Sequence, residues 1–150
     1  MQVSPCLPVL SPPSAGSPIC SRWSKACASP LPPRDPGQAW VELYASASDL
    51  LMAEELDGER LDDGRYFQVA PGAHELVTRF QFDVPGGGGA DIMAEPVQRT
   101  CEIRVRYDDF AAGRRYRLEA RSLVTSAQAW LYDEQRRVLA RGKVLRCGTF

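Results

Sequence analysis

An all-β fold, an antiparallel β-sandwich of about seven or eight strands, is the architecture this sequence predicts. Three observations carry it. Two long runs, residues 74–84 and 97–107, alternate apolar and polar side chains with period two, as a strand with one buried face requires. Turn dipeptides such as Asp57-Gly58, Asp63-Gly64 and Pro71-Gly72 cut the chain into short pieces, roughly one turn every 8–12 residues. No strand–helix–strand pattern points to a parallel nucleotide-binding sheet.

The chain of 150 residues changes character near residue 37. Nine of its 12 prolines lie before that point (Pro5, Pro8, Pro12, Pro13, Pro18, Pro30, Pro32, Pro33 and Pro36). Proline fixes φ and removes a backbone donor, so neither a helix nor a sheet ladder runs through such a segment. Residues 1–37 therefore read as a disordered Pro/Ser-rich tail, and residues 38–150 as the β-sandwich domain. A secretory signal would need an early basic residue and an unbroken apolar run. Here the first basic residue is Arg22, and prolines break each run. Ser17-Pro18-Ile19-Cys20 and Ser24-Lys25-Ala26-Cys27 are poor lipidation sites. Arg outnumbers Lys heavily, with Lys25 and Lys143 the only lysines, as in a high-GC gene where spurious upstream starts are common. Residues 1–37 as a defective or misannotated leader is the alternative, and the compartment follows from it: periplasmic or outer-membrane-associated if the written start is wrong, cytoplasmic otherwise.

Within the domain, Trp40 to Tyr44 forms a first strand and Asp49 to Leu56 a second, closed by the Asp57-Gly58 hairpin signal. Arg65 to Ala70 makes the next. His74, Leu76, Thr78, Phe80, Phe82 and Val84 then share one face of a long strand. Val97, Cys101, Ile103, Val105 and Tyr107 share a face of the following one, with Asp108 to Gly113 as its turn. Tyr116, Leu118 and Ala120 alternate against Arg115, Arg117, Glu119 and Arg121. Ala127 to Tyr132 and Arg137 to Cys147 make a last hairpin around Asp133 to Arg136.

Composition excludes several functions. A formal charge of −1 and a pI near 5.9 argue against a globally basic nucleic-acid binder. No stretch approaches the roughly 20 apolar residues of a spanning helix. A single His leaves little basis for a zinc site, and no cofactor motif is present.

Few residues can carry chemistry. Cys101 and Cys147 are the only cysteines of the domain. In an oxidising compartment they are expected to bridge, provided their strands are neighbours and the Cα atoms approach to roughly 4.4–6.8 Å. His74 sits at a strand start, where an imidazole bonded to a nearby backbone carbonyl is the plain reading and a general base the sharper one. Asp57, Glu59, Asp62, Asp63, Asp108 and Asp109 offer oxygen ligands, but without the spacing of a calcium loop. Arg104, Arg106, Arg115, Arg117 and Arg121 line the polar faces of two adjacent candidate strands. They suggest a patch for an anionic partner such as a lipid head group, lipopolysaccharide or an acidic protein. Cross-strand pairing with Glu102 and Glu119 is the simpler explanation. Gly86 to Gly89 has the composition of a phosphate loop but not its Lys-Ser/Thr ending.

The stretch Leu56-Asp57-Gly58-Glu59-Arg60-Leu61, with Gly64 to Leu76 and its Pro71-Gly72-Ala73-His74, resembles PEGA-type domains. Phe110-Ala111-Ala112-Gly113-Arg114-Arg115-Tyr116-Arg117-Leu118 resembles a strand entry of small Gram-negative envelope lipoproteins. The resemblance implies an extracytoplasmic bacterial β-sandwich, immunoglobulin-like or PEGA-like, with no assigned chemistry. The expected function is a non-catalytic cell-envelope module that binds an envelope protein or an anionic surface ligand. The alternatives are a small-ligand or lipid carrier, or a hydrolase using Asp and His74. Deleting the proline-rich tail is expected to leave the thermal midpoint within about a degree, because no buried core is lost; a drop of more than ~5 °C in a melting experiment would contradict this.

Overall fold

The structure, a computed structural model, describes residues 29–86 and 94–148. The proline-rich segment before residue 29 and most of the Gly86 to Gly89 loop lie outside the described residues. Residues 33–150 group as one unit. Among the described residues ten strands form: β1 (Ala39–Tyr44), β2 (Leu50–Leu56), β3 (Glu59–Arg60), β4 (Tyr66–Val69), β5 (Gly72–Val84), β6 (Val97–Phe110), β7 (Arg115–Leu123), β8 (Ser126–Tyr132), β9 (Val138–Arg141) and β10 (Lys143–Gly148). They build two five-stranded sheets, ordered β4-β1-β7-β8-β9 and β10-β6-β5-β2-β3.

The predicted faces are the observed ones. On β5, Leu76, Thr78, Phe80 and Phe82 are buried, and so are Cys101, Ile103 and Val105 on β6. From the other sheet Val41, Phe67, Val69, Tyr116, Leu118, Ala120, Ala129 and Leu131 close over them in one core. Thr78 is the polar member, and its Oγ1 donates to the Ile103 carbonyl at 3.2 Å, which satisfies a hydroxyl that burial would otherwise penalise. At the end where the chain leaves one sheet for the other, Phe110 meets Tyr107 and Tyr116 edge-on, at 5.0 and 5.1 Å between ring centroids.

Four details differ from expectation. The strand count rises because β3 and β4 are short pieces beside tight turns, and because the run from Arg137 to Cys147 is two strands. Pairing is not wholly antiparallel: β1 runs parallel to β7, Trp40 opposite Arg115 through Tyr44 opposite Glu119. Asp108 and Asp109 continue β6 rather than opening a turn, because Phe110 is an inward, buried residue that keeps the ladder running to Gly72. The turn follows at Ala111 to Arg114, with Gly113 at φ 72°. Val97 lies beyond the core at the far end of β6 and is exposed.

The N-terminal approach to β1 belongs with the domain. Arg34 lies over the Trp40 ring at 5.8 Å, and Asp35 accepts the Gly37 N–H at 2.8 Å. The truncation that tests the tail therefore ends before Pro33.

Two turns show why glycine stands where it does. Asp57 and Gly58 both have positive φ, 51° and 83°, the pair a two-residue hairpin between β2 and β3 demands. Gly142 is needed for space instead. It alone separates β9, in one sheet, from β10, in the other. Its N–H donates to the Ala129 carbonyl at 2.8 Å. A Cβ there would stand 2.7 Å from Ile103 Cγ2 and 3.0 Å from Ala129 Cβ, one neighbour from each sheet. Gly142→Ala is expected to destabilise the domain by about 1–3 kcal/mol through this overpacking, measured by urea denaturation; an unchanged midpoint would contradict it.

Candidate functional site

Cys101 and Cys147 are bonded to each other. They stand directly opposite in the β6–β10 ladder, with Cα atoms 4.1 Å apart, near the roughly 4.5 Å of close antiparallel pairs. Cys101 is fully buried and Cys147 half-buried, so the bridge fixes an edge strand to the strand behind it. The bridge expected from the sequence is thus in place, on neighbouring strands.

His74 finds a carboxylate rather than a carbonyl. Its Nδ1 lies 2.5 Å from Asp57 Oδ2, and the Glu75 N–H donates to Asp57 Oδ1 at 2.8 Å. The Asp57 N–H in turn donates to the Glu75 carbonyl at 2.9 Å. The backbone bond from Glu75, followed by the bond from His74, holds the Asp57 carboxyl below its ordinary value. An ionised carboxylate only accepts, so His74 Nδ1 carries the proton in this bond. Asp57 is the first of the two positive-φ residues of the β2–β3 turn, and its side chain is 47% exposed. The pair therefore clips the hairpin to β5 at the surface. Asp63 is likewise engaged, accepting from the Arg65 backbone and guanidinium.

The five arginines proposed as one patch do not form one. β6 and β7 follow each other in sequence but belong to different sheets, so Arg104 and Arg106 lie on one outer face and Arg115, Arg117 and Arg121 on another. Strands adjacent in the chain are here not adjacent in a sheet. Arg106 hydrogen-bonds Glu75, and Arg104 Nε faces the same carboxylate at 3.0 Å in an ion pair outside hydrogen-bond geometry. Nearby, Glu54 takes Arg79 and Arg60, and Glu102 takes Arg146. This face is a lattice of cross-strand pairs, in which Glu75 rather than Glu102 holds Arg104 and Arg106.

The outer face of the β4-β1-β7-β8-β9 sheet is different. Glu119 is buried on it, its side chain 2% exposed, beneath Arg117, Arg121 and Arg136 at 3.8, 3.4 and 2.5 Å. Glu42 holds Arg115 at 2.6 Å, with Arg117 at 3.9 Å. Aromatic rings fill the positions between. Arg117 lies over Tyr44, Arg136 over Tyr132 and Arg141 over Trp130, at 5.2, 5.1 and 5.9 Å from the ring centroids. Trp40 stacks on Tyr66 at 4.3 Å. The sequence reading missed Arg136, Arg141 and every one of these rings. The available signal was alternation: Trp40, Glu42 and Tyr44 are what remains once Val41 and Leu43 are assigned inward.

Three surface grooves accompany these features. One of about 260 Å³ lies between the β6–β7 and β8–β9 turns, lined by Tyr107, Asp109, Arg114 and Asp133 among others. One of about 420 Å³ runs along Glu42, Arg115, Arg117 and Arg136, and one of about 220 Å³ lies by Arg79, Gln81 and Arg146. Neither His74 nor Asp57 lines any of the three.

Asp57→Ala is expected to cost about 1–2 kcal/mol in urea denaturation, from the lost turn bonds and a left-handed alanine. Because its carboxyl titrates below the ordinary 3.8, the charge of Asp57 stabilises the fold above that pH. That contribution is lost as pH falls through the lowered value. The stability gap between wild type and Asp57→Asn should therefore close below about pH 4; a gap that widens on acidification would contradict the assignment.

Comparison with protein-family models, with curated proteins and with solved structures returned no match.

Proposed function

We propose that this chain is a non-catalytic β-sandwich module of the bacterial cell envelope, PEGA-like in type, whose role is binding or structural. The Cys101–Cys147 bridge carries the reading. Disulfides persist in oxidising compartments and are reduced in the cytosol, and this one joins residues in direct register across an edge pair. Two further features support it. The Asp57–His74 pair, which a hydrolase would need at a substrate cleft, is engaged at an exposed hairpin by bonds that hold the turn. The space a lipid carrier would keep between its sheets is filled by Phe67, Phe80, Phe82 and Phe110, all buried in one core.

The test is alkylation of free thiols in intact cells followed by non-reducing peptide mapping. The expected outcome is a Cys101–Cys147 linked peptide, and two alkylated thiols would overturn the reading. In the purified oxidised protein, reduction is expected to lower the unfolding free energy by about 2–4 kcal/mol, read from denaturation midpoints with and without reductant.

A further inference from the structure

We infer that one end of the sandwich docks on a lipid bilayer, the β7–β8 hairpin inserting Leu123 and Val124 below the lipid phosphates. The inference goes beyond the envelope reading and does not rest on it, since bilayers face both compartments.

Strand direction is the first argument. β1, β5 and β7 finish at this end, and β2, β6 and β8 begin there. The Ser122 hydroxyl on β7 donates to Asp49 Oδ2, just before β2, at 3.3 Å, which ties the two sheets together at this end. Tyr44, Leu50, Val97, Leu123 and Val124 stand at its strand ends and hairpin loop, five of the eight large apolar residues left exposed among the described ones. The opposite end is charged, with Asp57, Asp109, Arg114, Asp133, Glu134 and Arg136 at its strand ends and turns. At the apolar end the β1–β2 link holds only Asp49, the described part of the β5–β6 connection only Glu95, and the β7–β8 loop no charge.

The backbone is the second argument. Val124 and Thr125 form a two-residue loop closed by Leu123 opposite Ser126. Val124 has φ 54°, a conformation that such loops usually give to glycine or asparagine and that strains a β-branched residue. It is also 79% exposed, so packing within the domain does not offset the strain. A strained residue directed at solvent points to a contact outside the domain.

Depth and area select a bilayer as that contact. Outward positions on β7 step back from Leu123 to Arg121, about 7 Å at the usual rise per residue. Interfacial segments bury their apolar groups about 5–10 Å deep, so Arg121 would stand at the phosphates when Leu123 and Val124 reach the acyl chains. The Arg121 side chain is 59% exposed and reaches Glu119 at 3.4 Å, with further N–H groups free to donate. The apolar area of the tip is on the order of a few hundred Å², short of the roughly 800 Å² per partner that a stable protein complex buries.

The test is co-flotation of the full chain with vesicles of phosphatidylcholine containing a minor share of phosphatidylglycerol. The wild-type chain is expected to float with them, and Leu123→Ser with Val124→Asn to weaken partitioning about tenfold. Val124→Asn alone should weaken it several-fold at an unchanged or raised thermal midpoint, because asparagine tolerates the positive φ. Arg121→Gln should weaken it on the phosphatidylglycerol vesicles. Val138→Asn, at an equally apolar position that is 57% exposed near the opposite end, should leave it unchanged. Absence of flotation, flotation that the Leu123 and Val124 variants do not weaken, an equal loss with Val138→Asn, or a lowered midpoint in Val124→Asn would overturn the proposal. So would self-association in lipid-free buffer that Val124→Asn abolishes, which would place a second copy on the tip. Thiol mapping in cells reports on the compartment alone, so each reading can fail without the other.

Discussion

The antiparallel ladder between β5 and β6 is the constraint on which the rest of this structure depends. It runs from Gly72 opposite Phe110 to Val84 opposite Val97, and it supplies the inner face of one sheet almost alone. Leu76, Thr78, Phe80 and Phe82 from one strand, with Cys101, Ile103 and Val105 from the other, set the plane against which the second sheet packs. Its length also places the outer elements. β2 pairs along one side of β5 and carries the Asp57 turn back to His74, and β10 pairs along the free side of β6, where Cys147 meets Cys101. Phe110 ends the ladder and begins the aromatic contact with Tyr116 that leads the chain into the other sheet.

The two outer faces solve the problem of exposed arginine in different ways. Around β5 and β6, arginines and glutamates pair across strands: Glu54 and Glu75 each serve two arginines and Glu102 serves one. Such exposed pairs add little stability individually. Around β7, a single buried carboxylate draws three guanidinium groups together, and two of them, Arg117 and Arg136, lie over tyrosine rings. Arg is suited to this because its guanidinium stacks on rings while its edge still donates hydrogen bonds. The same residue type thus produces a network of cross-strand pairs on one side and a cluster around one buried carboxylate, flanked by aromatic rings, on the other.

What the sequence disclosed was what local periodicity can encode. The alternations in β5, β6 and β7 identified their buried faces, because side-chain direction in a strand is fixed by position alone. The Asp57-Gly58 hairpin was legible for the same reason, since its two positive φ angles demand those residues. The disulfide was legible because only two domain cysteines existed and one lay on an apolar face. Sheet membership was not legible. β6 and β7 adjoin in sequence and separate in space, and β1 reaches β7 in parallel only after the chain has built most of the other sheet. The arginines of the expected patch are divided between two sheets for that reason. Gly142 looked like an interior strand position, because the crowding that requires it comes from Ile103 and Ala129, both distant in sequence.

The parallel pairing of β1 with β7 also governs how the domain would bear a load. Tension entering from the N-terminal side pulls β1 along its own axis, so its five registered pairs with β7 and its ladder with β4 are loaded in shear together rather than opened one at a time. Tension entering through β10 reaches Cys147 and passes across a covalent bond into β6, bypassing part of the edge ladder. The two ends of the domain are therefore anchored by different means, a hydrogen-bonded shear joint at one and a sulfur link at the other. A tether drawn taut between them would act first on the shear joint.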